Sequence, residues 1–166
     1  MKAKRHAARK EKEPGMIFGV NTTRNAVFIA ETHGAGSKFK IDLIRRVPFQ
    51  IHQAGDVAEL LQNLSAILDH NRQVAGRSVA IMKRSGGRFG SSVGAIKAEA
   101  ITELAAFQKG LLVVGVAPQS LKKTLGCAPG EKWRDRARLK FNRHGRHEHW
   151  KQGADGAVSA AFKGTG

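Results

Sequence analysis

Apolar and polar positions along the chain alternate between two periods. Met16-Ile-Phe-Gly-Val20 is a short apolar run rich in β formers, the polar stretch Asn21–Asn25 follows it, and Ala26–Glu31 is a second such run. The pair predicts a hairpin. From Lys38 to Val47, Phe39, Ile41 and Leu43 alternate with Lys40, Asp42 and Ile44, which predicts a third, half-buried strand. The period then lengthens. Val57, Leu60, Leu61, Leu64, Ile67 and Leu68 recur at three- to four-residue spacing on one helical face, with Asp56 suited to the N-cap. Ser78–Met82 reads as a short central strand. A glycine-rich loop, Ser85–Ser92, leads into a helix over Val93–Gln108, and Leu111–Val116 is a fifth, wholly apolar strand. Helices are expected from Pro118 to Leu125, from about Lys132 to Asn142 and from about Ala154 to Phe162. The order is βββ-α-β-α-β-α with extra helical matter at the C-terminus, an α/β domain.

Composition sharpens the partner rather than the fold. The 166 residues carry 29 Lys+Arg against 13 Asp+Glu, a net charge of +16. That balance points to nucleic acid ahead of an anionic membrane surface. At 41% hydrophobic residues the chain can bury a core, and no apolar run approaches the ~20 residues of a membrane span. The single cysteine, Cys127, excludes a disulfide framework and a multi-cysteine zinc module, and fits a reducing, cytoplasmic setting. Charge is concentrated twice. Residues 1–15 hold six Lys+Arg and two Glu with almost no large apolar side chains, so a solvated basic arm is expected there, ahead of one domain over 16–166. The second concentration, Glu131–Lys151, interleaves Arg134, Arg138, Arg143 and Arg146 with Trp133, Phe141 and Trp150, and Lys122 and Lys123 precede it. Basic residues spaced with aromatics neutralise phosphates and offer surfaces to bases.

A three-stranded meander followed by alternating helix and strand is similar to the RNase H-like layout, in which the first strand lies at the sheet centre and helices cover both faces. The chain further resembles the RuvC branch through Ile17-Phe-Gly-Val-Asn21, Val79-Ala-Ile-Met-Lys83 and Gly153-Ala-Asp-Gly-Ala-Val-Ser-Ala-Ala161. It also resembles a group of small, uncharacterised bacterial RNase H-like proteins through Gly19-Val20-Asn21, Gly87-Arg88-Phe89-Gly90 and Lys97-Ala-Glu-Ala100. The resemblance spans about Met16 to Phe162. It implies a two-metal nuclease centre built on clustered carboxylates. The matching positions here are Asn21, Lys83 and Asp155, one acid out of three, so the implied metal site is degenerate. Mg²⁺ or Mn²⁺ enters only if other acids (Glu31, Glu99, Asp135 or Glu148) replace the missing ligands; otherwise no cofactor is expected.

Several local features bear on that site. Lys83 is expected to pair with Asp155 across the abandoned metal position, or to hold a phosphate there. Lys83 and Arg84 precede the loop and Arg88 and Phe89 lie in it; it resembles the loop that reaches nucleic acid in RuvC-like resolvases, and packing of Phe89 on the sheet weighs equally. His144, His147 and His149 read as surface histidines of a basic loop rather than zinc ligands. Glu99 and Glu103 read as a solvated helix face. The function expected first is non-catalytic binding of DNA or RNA, as a subunit that positions or protects nucleic acid in a larger protein assembly. A divalent-metal nuclease or Holliday-junction-resolvase-like enzyme with rearranged ligands comes second, and a scaffold for an acidic protein partner third.

Overall fold

The computed structural model describes residues 15–84 and 92–166. The expected arm, save Gly15, and most of the glycine-rich loop, with Arg88 and Phe89, lie outside the described residues. Five strands form one sheet: β1 (Ile17–Thr22), β2 (Ala26–His33), β3 (Lys40–Pro48), β4 (Ser78–Met82) and β5 (Leu112–Val116). Their order is β3-β2-β1-β4-β5, with β1 central, antiparallel to β2 and parallel to β4. Both parallel connections run through helices, as parallel strands require.

The helices divide between the two faces. α1 (Ala54–Leu68) and α2 (Val93–Gln108) cover one face, where Leu60, Leu64 and Leu68 meet Phe18, Val20, Ile29 and Ile81. α3 (Pro118–Leu125), α4 (Trp133–Lys140) and α5 (Asp155–Gly164) cover the other, where Ile17, Phe28, Ala80 and Met82 meet Leu121, Ala137, Ala157 and Ala161. Each fully buried leucine contributes roughly 1.5–3 kcal/mol of transfer free energy. α5 sits directly on β1. A Cβ at Gly19 would lie 1.9 Å from the Ala157 carbonyl oxygen, so only glycine permits that approach.

Two expectations are corrected here. The helix at Val57 begins earlier, at Ala54 with Gln53 as its N-cap; Asp56 is its third residue and accepts from the His52 and Gln53 amides at 2.8 and 3.0 Å. In β3 the alternation breaks, because Glu31 pairs with Leu43 but Thr32 with Ile41, leaving Asp42 as an inserted residue. That bulge turns Ile41 and Ile44 toward the same core and leaves Leu43 exposed. β5 is apolar on both faces yet lies at the sheet edge, where Leu112 stays 69% exposed.

Candidate functional site

The C-terminal end of β1, the end of β4 and the start of α5 converge on one face of the sheet. Strand alternation sends Ile17, Gly19 and Asn21 toward α5, and Val79 and Ile81 toward α1 and α2. The same alternation in β4 gives the α5 face Ala80 and Met82. Asn21, nearly buried, donates its Nδ2 to the Gly153 carbonyl at 2.9 Å, and its amide packs so closely on Gly156 that a Cβ there would lie 2.4 Å from Nδ2. Asp155 is 2% exposed. Its Oδ1 accepts from the Gly156 amide at 2.7 Å and its Oδ2 from an Arg134 guanidinium nitrogen at 2.7 Å. The guanidinium carbon lies 4.8 Å from the Trp133 ring centre, so the arginine is held between an indole and a carboxylate. Burial pushes the Asp155 carboxyl above the usual aspartate range, with Arg134 and the Gly156 amide opposing that shift.

No protein-family model matches the sequence, and no curated protein matches it either. Among solved structures, Thermus thermophilus RuvC aligns over 90% of this chain and 97% of its own, with a TM-score of 0.67 and 17% identity. T. thermophilus RuvC in complex with a Holliday junction substrate aligns over 90% and 94%, with a TM-score of 0.65 and 18% identity. The fold is RNase H-like. At such identity the likeness is one of fold, and chemistry has to be read from this chain's own residues.

Those residues do not fit the divalent-metal pair that an RNase H-like centre implies. Hard cations need anionic oxygen ligands. The converging positions present a neutral amide (Asn21), a soft thioether on the Met82 side of β4, and one carboxylate already taken by a guanidinium. Among the described residues no cluster of three or more His, Cys, Asp or Glu is placed to hold a metal. Glu31, a candidate replacement ligand, is buried on the other face, where Arg45 Nε donates to it at 3.0 Å and His70 Nδ1 lies 2.7 Å away. Its register partner on β1 is Phe18, three residues from Asn21, about 10 Å along the strand. Asp135 is exposed, and Glu148 is exposed beside His149.

Lys83 requires a correction. It does not pair with Asp155, because strand alternation turns it to the opposite face from Met82. Its stem crosses Gly115, and its ammonium reaches Glu99 at 2.9 Å and also Glu103, both on α2. Burial acts against the Lys83 charge, but the hydrogen bonds the ammonium donates to the two glutamates, with their negative charge, outweigh it and raise the ammonium pKa. Glu99 and Glu103 are therefore the clamp for a lysine rather than a solvated face. Alternation in Val79-Ala-Ile-Met-Lys83 already groups Lys83 with Val79 and Ile81, but it does not say which face of the sheet that group takes. Arg84, next along, donates to Thr22 Oγ1 at 3.1 Å and ties the β4 end to β1.

The remaining basic candidates lie on the α3–α4 side. Lys122, Lys123, Arg138, Arg143 and Arg146 are exposed, and none forms a salt bridge among the described residues. Arg134, read from sequence as a nucleic-acid contact, is the partner of Asp155, and 53% of its side chain remains accessible. Two of the three histidines contact each other. His147 Nδ1 accepts from the His149 amide at 3.2 Å, and His149 packs near Phe28 with ring centres 6.3 Å apart. Burial, with Arg143 and His147 alongside, lowers the His144 pKa below the usual histidine value. No helix among the described residues is long and apolar enough to cross a membrane.

Proposed function

We propose that this chain binds nucleic acid on its α3–α4 side without cutting it, as a subunit that positions or protects DNA or RNA in a larger assembly. The observation that carries the reading is the Arg134–Asp155 pair. A guanidinium occupies the one carboxylate left where the fold implies metal ions, while Asn21 and Met82 supply no charge beside it. The position that would carry positive charge as metal thus carries it as arginine, and no acid–metal pair is left to activate water. Nucleic acid as ligand is supported by the charge of +16, by Lys122, Lys123, Arg138, Arg143 and Arg146, which are exposed and in no salt bridge among the described residues, and by the RuvC neighbour in complex with a Holliday junction substrate. The basic segment 1–15 extends the domain over 16–166 and adds phosphate contacts without sequence preference.

The test is binding of labelled single strands, duplexes, hybrids and four-way junctions, followed by anisotropy over a salt series with Mg²⁺ or Mn²⁺ present. If about five phosphates are neutralised, log K against log salt falls with a slope near −4.5 for duplex, and every substrate is recovered intact. Salt-independent binding overturns the electrostatic account. Metal-dependent cleavage that disappears in Asp155→Ala overturns the non-cutting reading in favour of a nuclease with rearranged ligands.

A further inference from the structure

Away from Asp155, at the far end of α4, a groove of about 480 Å³ opens between the start of β3 and the segment following α4. Lys140, which lines the groove, ends α4 six residues after Arg134, so at 1.5 Å per residue the groove begins about 9 Å along the helix axis from Arg134. Phe39 and Phe141 form its floor. They belong to an aromatic cluster with Phe162, with ring centres 5.1–5.6 Å apart, that is fixed to the core. Lys40, Lys140 and Arg143 stand around it, all exposed, and none is in a salt bridge among the described residues. Its one acid, Asp42, is the residue inserted by the β3 bulge, and the His33 imidazole lies 2.6 Å from its carboxylate. Lys140 Nζ lies 4.8 Å from the centre of the Phe162 ring, and burial lowers the pKa of the remaining titratable group, His144, so three cations against one carboxylate set the sign of the groove.

We propose that this groove is a nucleotide subsite, receiving one nucleotide of a single-stranded nucleic acid with its base against Phe39 and Phe141 and its phosphate among Lys40, Lys140 and Arg143. The inference deepens the nucleic-acid reading above and rests on it. The ligand class follows from the lining. Three cations call for an anion, but an inorganic ion would leave the aromatic floor uncovered, whereas a nucleotide has both a flat apolar face and a charged end. Single-strandedness follows from size, since a cleft of this volume admits one ligand-sized group and no stacked base pair. Arg138 lies between Arg134 and Arg143 in sequence and packs against Gly145, which joins the subsite to the basic α3–α4 side.

Two measurements test it. The exposed-site variant Lys140→Ala/Arg143→Ala, its fold checked by thermal melting, should bind labelled oligothymidylate about tenfold more weakly while losing less than about threefold for duplex. At 18.0 kDa the chain also suits amide chemical-shift mapping, in which thymidine monophosphate should move residues 39–42 and 140–144, and inorganic phosphate should do so more weakly. Unchanged oligothymidylate affinity in the variant, with shifts elsewhere or none, overturns the subsite and leaves the nucleic-acid reading standing. Nucleotide shifts in the groove with unchanged oligothymidylate affinity overturn its assignment to a strand. Wild-type protein that binds no nucleic acid at all overturns both readings together.

Discussion

Replacing Arg134 with alanine strips the partner from a carboxylate that is almost fully enclosed. The side chain of Asp155 is 3% exposed and that of Arg134 53% exposed, so the pair lies between the exposed and buried limits. Exposed pairs contribute roughly 0.2–1 kcal/mol, and breaking a buried one costs roughly 3–5. Solvent screening on the arginine side places Arg134→Ala at about 1–2 kcal/mol, or a melting point lower by about 3–6 °C in a domain of this size. The pH dependence separates charge from packing. In the wild type, burial already holds the Asp155 pKa above its unfolded value, so the folded state retains the proton longer, and stability declines as pH rises through that window. Removing the guanidinium raises the folded pKa further. The loss in Arg134→Ala should therefore be present near neutral pH and vanish below about pH 3.8, where Asp155 is protonated in both states. Asp155→Asn removes the titration, and in that background Arg134→Ala should be nearly silent. Thermal and urea melts of the four proteins in the double-mutant cycle, at neutral and acidic pH, provide the check. An Arg134→Ala loss of equal size at both pH values, or no loss at neutral pH, refutes the buried-charge account.

Asn21→Asp combined with Met82→Glu and Arg134→Ala supplies three carboxylates on the α5 face and clears the guanidinium, so titration calorimetry should show Mn²⁺ binding that the wild type lacks. Asn21→Asp with Lys83→Glu should gain none, because residue 83 faces α2 and would set a third acid beside Glu99 and Glu103. Lys83→Met should lower stability by about 0.5–1 kcal/mol in chemical melts and leave oligonucleotide affinity unchanged; a large affinity loss would assign that ammonium to phosphate instead. Gly19→Ala drives a methyl into the Ala157 carbonyl and should destabilise by about 3 kcal/mol, at the upper end of overpacking effects, as read from the urea midpoint.

The element order was legible in the sequence, because it rests on local periodicity that survives packing; the central place of β1 and the two-sided cover of helices came only with the resemblance to the RNase H-like layout. Val93–Gln108 and Pro118–Leu125 begin and end where their periodicity and flanking residues say they should. The lone acid Asp155 at the head of the last helix was legible as well. What the sequence could not supply was phase and partner. Lys83 and Met82 are neighbours in the chain, and a one-residue shift in a strand moves a side chain to the opposite face, so only the sheet decides which of them faces Asp155. The β3 bulge acts likewise, since one inserted residue at Asp42 exchanges Leu43 for Ile44 on the core side. Arg134 stands 21 residues from Asp155, and nothing in their spacing marks them as partners. Their pairing follows from α4 packing against α5, and the choice among the basic residues of that segment is made by which guanidinium the fold brings to a carboxylate deprived of water.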